Sequence, residues 1–282
     1  MQENIIIEPQ SRKERKVLNI DISLRPLRLC GLSLYLKNIV LLWVLLSIVQ
    51  TAQADMISVA VASNALDAIK LIGKGFQKQS GHRLHISSGS TGKLYAQIYN
   101  GAPFDVFLAA NVREPKRLEE QDLILKGSRF TYALGRLSLC RQDMIKARTV
   151  EGVLKDAGLK RLSIANPKTA PYGVAAKQVL ESLGLWASLK PRLIRGENIG
   201  QAYQYYASGN TQAAFLASSQ VKSKPPLGHC IDVEQKYYQP IRQQAVVLKR
   251  AKDSVAVKLF IDFLKGRHVK RLLTTRFGYG VE

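Results

Sequence analysis

Two segments decide the fold: Ser87-Ser88-Gly89-Ser90-Thr91-Gly92-Lys93, and Ala165-Asn166-Pro167-Lys168-Thr169-Ala170-Pro171-Tyr172-Gly173. Each follows a short strand-like run, Arg83 to Ser87 and Arg161 to Ala165, and each leads into a helix-like run. A helix start offers unpaired backbone N–H groups and the positive end of a dipole, so it is a natural seat for an anion. Two such seats on separate βα units imply one anion held between two domains, the geometry of a protein that closes on its ligand.

Working outward, strand and helix alternate almost without interruption. Ile57 to Ala62 is a continuous apolar run of the buried, parallel-sheet kind. A helix follows with Ala65, Ala68, Ile69, Ile72 and Phe76 on one face and a stop near Gly81. Further strands are expected at Arg83–Ser87, Asp105–Ala109 and Thr131–Cys140, the last long enough to cross between domains. Helices are expected over Lys93–Tyr99 and Glu114–Gln121. A second block has strands at Leu162–Ala165, Leu193–Arg195, Ala213–Leu216 and Cys230–Val233, with helices over Ala147–Ala157, Gly173–Leu183 and Ile199–Ala207. Lys222–Gly228 reads as a loop, Gln244–Leu248 as a returning strand, and Ser254–Leu264 and Val269–Thr275 as closing helices. Regular βα alternation means sheets of mostly parallel strands with right-handed crossovers. The expected architecture is α/β: two doubly wound domains joined by crossing strands with a ligand cleft between them. Domain I takes 55–136 and 242–282, and domain II takes 137–241.

Residues 1–54 are set apart as a signal peptide. Basic residues from Arg12 to Lys37 precede the apolar run Ile39–Val49, which is shorter than the roughly 20 residues a membrane span needs. It ends at Ala52-Gln53-Ala54, a small-x-small cleavage pattern, so cleavage after Ala54 and export to the periplasm are expected. The chain carries a net charge of +21. Its Lys and Arg are scattered rather than gathered in a tract, and export argues against a nucleic-acid partner. The charge fits the steering of small anions. Cys140 and Cys230 remain after cleavage, and either one disulfide or two buried free thiols is open. His82 and His85 point to opposite faces of a strand, which disfavours a zinc site.

Ser63-Asn64 stands at the carboxyl end of the first strand, where ligands bind in open α/β sheets. Asn64 can cap the following helix while its carboxamide donates to a ligand oxygen. Gly89-Ser90-Thr91-Gly92-Lys93 fails as a nucleotide-binding loop, because Ser87 and Leu94 stand where that motif needs Gly and Ser/Thr. What survives is a glycine-permitted turn with two hydroxyl donors at a helix start. Asp105 reads as a structural cap or strand-edge partner. No Ser-His-Asp or Cys-His grouping stands out, and no enzymatic activity is expected.

The mature chain resembles, throughout its length, the periplasmic molybdate-binding proteins of ABC transporters, in the subclass with Ser/Thr-Asn at the first loop. The resemblance rests on Val59-Ala60-Val61-Ala62-Ser63-Asn64, Ser87 to Lys93, Asn100 to Ala109, Asn166 to Gly173, Gly196-Glu197-Asn198-Ile199 and the Phe277-Gly278-Tyr279 tail. It implies a tetrahedral dianion, molybdate or tungstate, held by neutral donors, with no cofactor and with molybdenum or tungsten present only as the oxyanion. It carries the ligand role onto Ser63 and Asn64, onto Ser90 or Thr91, and onto Tyr172 and Ile199, the last through its backbone N–H. Other members place a ligand tyrosine where Ala217 stands here; Tyr172 then supplies the phenol. The resemblance also implies a monomer that hands its ligand to an ABC transporter permease. Sulfate or phosphate is the alternative ligand, and an enzyme acting on a phosphorylated substrate the more distant alternative.

Overall fold

A computed structural model describes residues 55–143, 147–224 and 228–280, so the leader expected to end at Ala54 lies outside the described residues. In chain order the elements are β1 (Met56–Ala62), α1 (Leu66–Ser80), β2 (Arg83–Gly89), α2 (Thr91–Tyr99), β3 (Val106–Ala109), α3 (Arg113–Glu120), β4 (Phe130–Gly135) and β5 (Leu137–Arg141). There follow α4 (Val150–Lys155), β6 (Leu162–Ala165), α5 (Pro171–Ser182), α6 (Trp186–Leu189), β7 (Leu193–Gly196), α7 (Ile199–Ala207), β8 (Ala213–Ala217) and α8 (Ser218–Ser223). β9 (His229–Asp232), β10 (Ile241–Val247), α9 (Val255–Lys265) and α10 (Arg267–Phe277) complete the chain.

Two five-stranded sheets result, ordered β2-β1-β3-β10-β4 and β7-β6-β8-β5-β9. Both are mixed. β1 runs parallel to β2 and β3, and β6 parallel to β7 and β8, whereas β10 and β5 pair antiparallel with their neighbours. The apolar run at β1 is legible because the strand is central: Val59, Ala60 and Val61 are wholly buried, with apolar clusters on both faces. On one face Ala68, Ile69, Ile72 and Phe76 of α1 pack with Phe260 of α9 and Val269 and Leu273 of α10. α1 stops where Gly81 takes a left-handed φ of 79° and donates its N–H to Gln77. The second sheet has its own core around Leu162, Ile164, Val179, Leu180 and Phe215.

The chain crosses between the sheets twice, at Arg136 and again between β9 and β10. The run Thr131–Cys140 is therefore not one strand. β4 pairs with β10 in the first sheet and β5 with β8 and β9 in the second, and the alternation of apolar residues across Arg136 hid the break. The helix expected over Ala147–Ala157 is shorter, because Thr149 caps it by accepting from the Gly152 N–H and Asp156 returns to extended backbone. α6 and α8 were not expected. Cys140 and Cys230 face each other across the β5–β9 pair and form a disulfide. Asp105 is a strand-edge partner: its carboxylate accepts from the Ser58 N–H at 2.7 Å and pairs with Arg250 at 3.0 Å.

Candidate functional site

The loops leaving β1, β2, β3, β6 and β7 converge on one narrow cavity of about 10 Å³. Ser63, Asn64, Ser90, Thr91, Tyr172 and Ile199 all line it, so the structure brings together every residue that the sequence singled out. Ala110 and Asn198, not singled out, line it too. That is room for about one water, so the loops stand close together and leave no space for a nucleotide. No Lys, Arg, His, Asp or Glu is among the lining residues.

Four helix starts point into it. α2 is capped by Ser90, whose Oγ accepts from the Lys93 N–H at 3.4 Å. α7 is capped by Asn198, whose Oδ1 accepts from the Gln201 N–H at 3.1 Å, which leaves Ile199 as the first helical residue with no intrahelical acceptor for its N–H. Tyr172 is second in α5, after Pro171, a residue suited to a first turn. Ser63 opens the 3-10 turn that leads into α1.

The hydroxyls are set as donors. Ser63 Oγ accepts from the Gly200 N–H at 3.3 Å, and Thr91 Oγ1 accepts from the Ala110 N–H at 3.1 Å. With Ser90 this makes three hydroxyl oxygens that each accept a backbone N–H and keep their own proton for the cavity. Ser90 and Thr91 both reach it, so the two sequence candidates coexist. The Tyr172 hydroxyl is buried and has no hydrogen-bond partner. Burial, then the phenols of Tyr279, Tyr132 and Tyr238, push its pKa well above the usual value, against a small opposing influence from Asn64. Tyr172 is thus a neutral donor even at the pH, roughly 10, where an exposed phenol ionises.

Asn64 departs from expectation. It caps no helix, and its carboxamide is not free for a ligand. Nδ2 donates to Gln243 Oε1 at 2.9 Å and to Tyr279 Oη at 3.0 Å, which uses both of its protons. Asn64 can still offer its backbone N–H, which has no acceptor at the start of the 3-10 turn. The glycines of the Ser87–Lys93 loop also act otherwise than expected. Neither Gly89 nor Gly92 has a positive φ. Gly92 instead allows a close approach: a Cβ there would lie 3.0 Å from the Thr169 carbonyl of the facing loop, tight enough that one of the two would have to shift.

The two sheets' loops meet around the cavity. Gly92 N–H donates to Thr169 O at 2.9 Å, Ser219 Oγ to Asn64 O at 2.9 Å, and Lys93 pairs with Glu197 at 2.8 Å. Gln243, Tyr279 and Ser219 are the supporting residues that sequence reasoning missed; only Tyr279 lay in a segment with any signal. A wider recess of about 190 Å³ adjoins the cavity and shares Ala110, Ala170 and Pro171 with it. Arg113, the cation among its lining residues, is paired with Glu114.

A family model for bacterial extracellular solute-binding proteins matches residues 57–280. Over 233 residues the chain is 45% identical to the molybdate-binding protein ModA of Azotobacter vinelandii, covering 82% of this chain and 92% of the relative. It is 40% identical over 231 residues to the molybdate-binding protein ModA of Rhodobacter capsulatus, covering 82% and 90%. The solved periplasmic molybdate-binding protein of Azotobacter vinelandii superposes with a TM-score of 0.76 at 36% identity, covering 80% of this chain and 99% of that one.

Proposed function

The chain belongs to the bacterial extracellular solute-binding proteins, in their molybdate-binding branch, and from that premise we propose that it captures molybdate or tungstate outside the inner membrane and delivers it to an ABC transporter permease. The observation that carries the ligand is the cavity itself: helix starts and hydroxyls converge on a small space with no charged side chain. A buried dianion requires many hydrogen bonds, and neutral donors supply them without an ion pair that would slow release. The absence of a lining carboxylate also disfavours phosphate. Near neutral pH phosphate carries a proton, which would find no strong acceptor here. Sulfate lacks that proton but is smaller than molybdate, so it would leave donors unpaired.

The proposed ligand set is the Ser63, Ser90, Thr91 and Tyr172 hydroxyls with the Asn64 and Ile199 backbone N–H groups. The proposed domains are 55–136 with 242–282, and 137–241, which swing about the two crossings. The proposed working form is a monomer that binds no nucleic acid and catalyses no reaction. Calorimetric titration with molybdate, tungstate, sulfate and phosphate tests the reading; a preference for sulfate or phosphate would overturn it. Within that titration Tyr172→Phe removes one donor from a buried anion and should cost about 1–3 kcal/mol, roughly five- to 150-fold in affinity. Lys93→Ala removes an exposed pair with Glu197 and should cost less than about threefold. The reverse order would mean that the anion is held by ion pairing.

The leader is proposed to direct export, with cleavage after Ala54. N-terminal sequencing of the exported protein should begin at Asp55. A chain retained in the membrane with its leader intact would refute this.

A further inference from the structure

Gln243 is a wholly buried carboxamide in β10, remote in sequence from every residue of the cavity. The register of β10 with β4 shifts between Gln243 and Gln244. Such irregularities re-aim a side chain beside a functional site. Gln243 Oε1 accepts one Asn64 proton at 2.9 Å. Tyr279 Oη accepts the other at 3.0 Å and donates to the Asn64 carbonyl at 3.1 Å. Asn64 is therefore held through both protons of Nδ2 and at its backbone carbonyl.

Opposite β10, β4 ends at Gly135, paired with Ile241. A Cβ on Gly135 would lie 2.4 Å from Tyr172 Oη and 2.7 Å from Gln243 Nε2. Gly135 is not among the glycines with positive φ. Its backbone does not demand glycine; the phenol reaching it from α5 does. β4 and β10 are the strands at which the chain leaves and re-enters the first sheet, so one notch between the two crossings meets the ligand candidate Tyr172 and Gln243, the support of the ligand candidate Asn64.

We propose that Gly135 and Gln243 are positioning residues of the oxyanion site: the notch at Gly135 seats the Tyr172 hydroxyl, and the Gln243 carboxamide holds Asn64 so that its N–H faces the cavity. Neither touches the ligand. The inference deepens the molybdate reading and rests on it. Each half predicts a specific dependence that a general loss of packing would not produce.

Two mutant cycles test it, each read by molybdate titration and by the melting temperature of the ligand-free protein. Gly135→Ala alone should weaken molybdate binding at least about tenfold, because an added methyl displaces a buried donor. In the Tyr172→Phe background, which has no Oη to displace, the same change should cost less than about twofold. Gln243→Leu should weaken binding at least about fivefold alone, and not measurably in the Asn64→Ala background. Equal losses in both backgrounds would overturn the proposal, as would a silent Gly135→Ala. The melting temperatures separate this from the ligand reading. If the wild type takes no molybdate while Gly135→Ala lowers the melting temperature and Tyr172→Phe relieves it, the notch stands and the ligand assignment falls. If the wild type binds and neither readout shows coupling, the notch falls and the ligand assignment stands.

Discussion

Replacing Cys140 and Cys230 together by alanine should lower the unfolding free energy by about 4 kcal/mol. The bridge spans a sequence separation of 90, and a loop of that length removes about 4–5 kcal/mol of chain entropy from the unfolded state in the loop-closure treatment. Measured losses run from about 2 to 5 kcal/mol, because unfolded chains keep some structure. Two features favour a large effect. β9 is a four-residue strand at the edge of its sheet and pairs only with β5, so the bridge is its main anchor. Cys140 is also wholly buried among Tyr206, Ala214 and Leu216, so its loss leaves apolar atoms without neighbours. Urea unfolding is the measurement: the midpoint should fall, and the reduced wild type should match the double variant. The slope against urea should rise, since the unbridged chain exposes more surface. Molybdate affinity should hold within about twofold, because the disulfide joins β5 to β9 while the cavity residues that come from this sheet follow β6 and β7 at its other edge. An unchanged midpoint would mean that the bridge is absent or that β9 contributes nothing.

What the sequence made legible, and what it hid, follows from the range of the interactions. β1 could be read because burial on both faces demands unbroken apolar residues, a local requirement. The helix starts at Ser90 and Asn198 could be read because a cap bonds within its own turn. The break at Arg136 could not, because only the identity of the pairing strands distinguishes two short strands from one long one. Gln243 was equally hidden. Its partner Asn64 lies 179 residues away, and a glutamine in an otherwise apolar strand carries no local mark of what it bonds. The same distance explains the misreading of Asn64. From the loop alone its carboxamide looks available, and the two acceptors that consume it come from β10 and from the tail. The disulfide stayed open for a related reason: two cysteines in strand-like runs say nothing of whether those strands are neighbours.

Gly92→Val should weaken molybdate binding by about two to four orders of magnitude while leaving the ligand-free protein folded. Gly92 lies on the first-sheet side of the cavity, and its N–H donates to Thr169 O on the other side at 2.9 Å. A Cβ there would stand 3.0 Å from that carbonyl and 3.2 Å from the Thr169 Cα. Both are backbone atoms of the loop that begins α5, so no rotamer change can relieve the contact, and the two further methyl groups of valine add to it. The loops would be held apart. Tyr172 and Ile199, the donors proposed for the second sheet, lie on the Thr169 side, and an anion bound only by the first-sheet loops would forgo both. Two hydrogen bonds to a charged group contribute about 1.5–3 kcal/mol each, hence the expected range. Small-angle scattering separates this from a general loss of structure. The wild type should contract when molybdate is added, because only the closed form completes the donor set. The variant should keep its ligand-free radius of gyration at molybdate concentrations that saturate the wild type, with an unchanged circular dichroism spectrum. If the variant binds as the wild type does and contracts as it does, the Gly92–Thr169 contact is incidental. The closed form would then accommodate a side chain at Gly92, whereas a variant that binds as the wild type does without contracting would mean that the anion is held from one side of the cleft and that closure has no part in its capture.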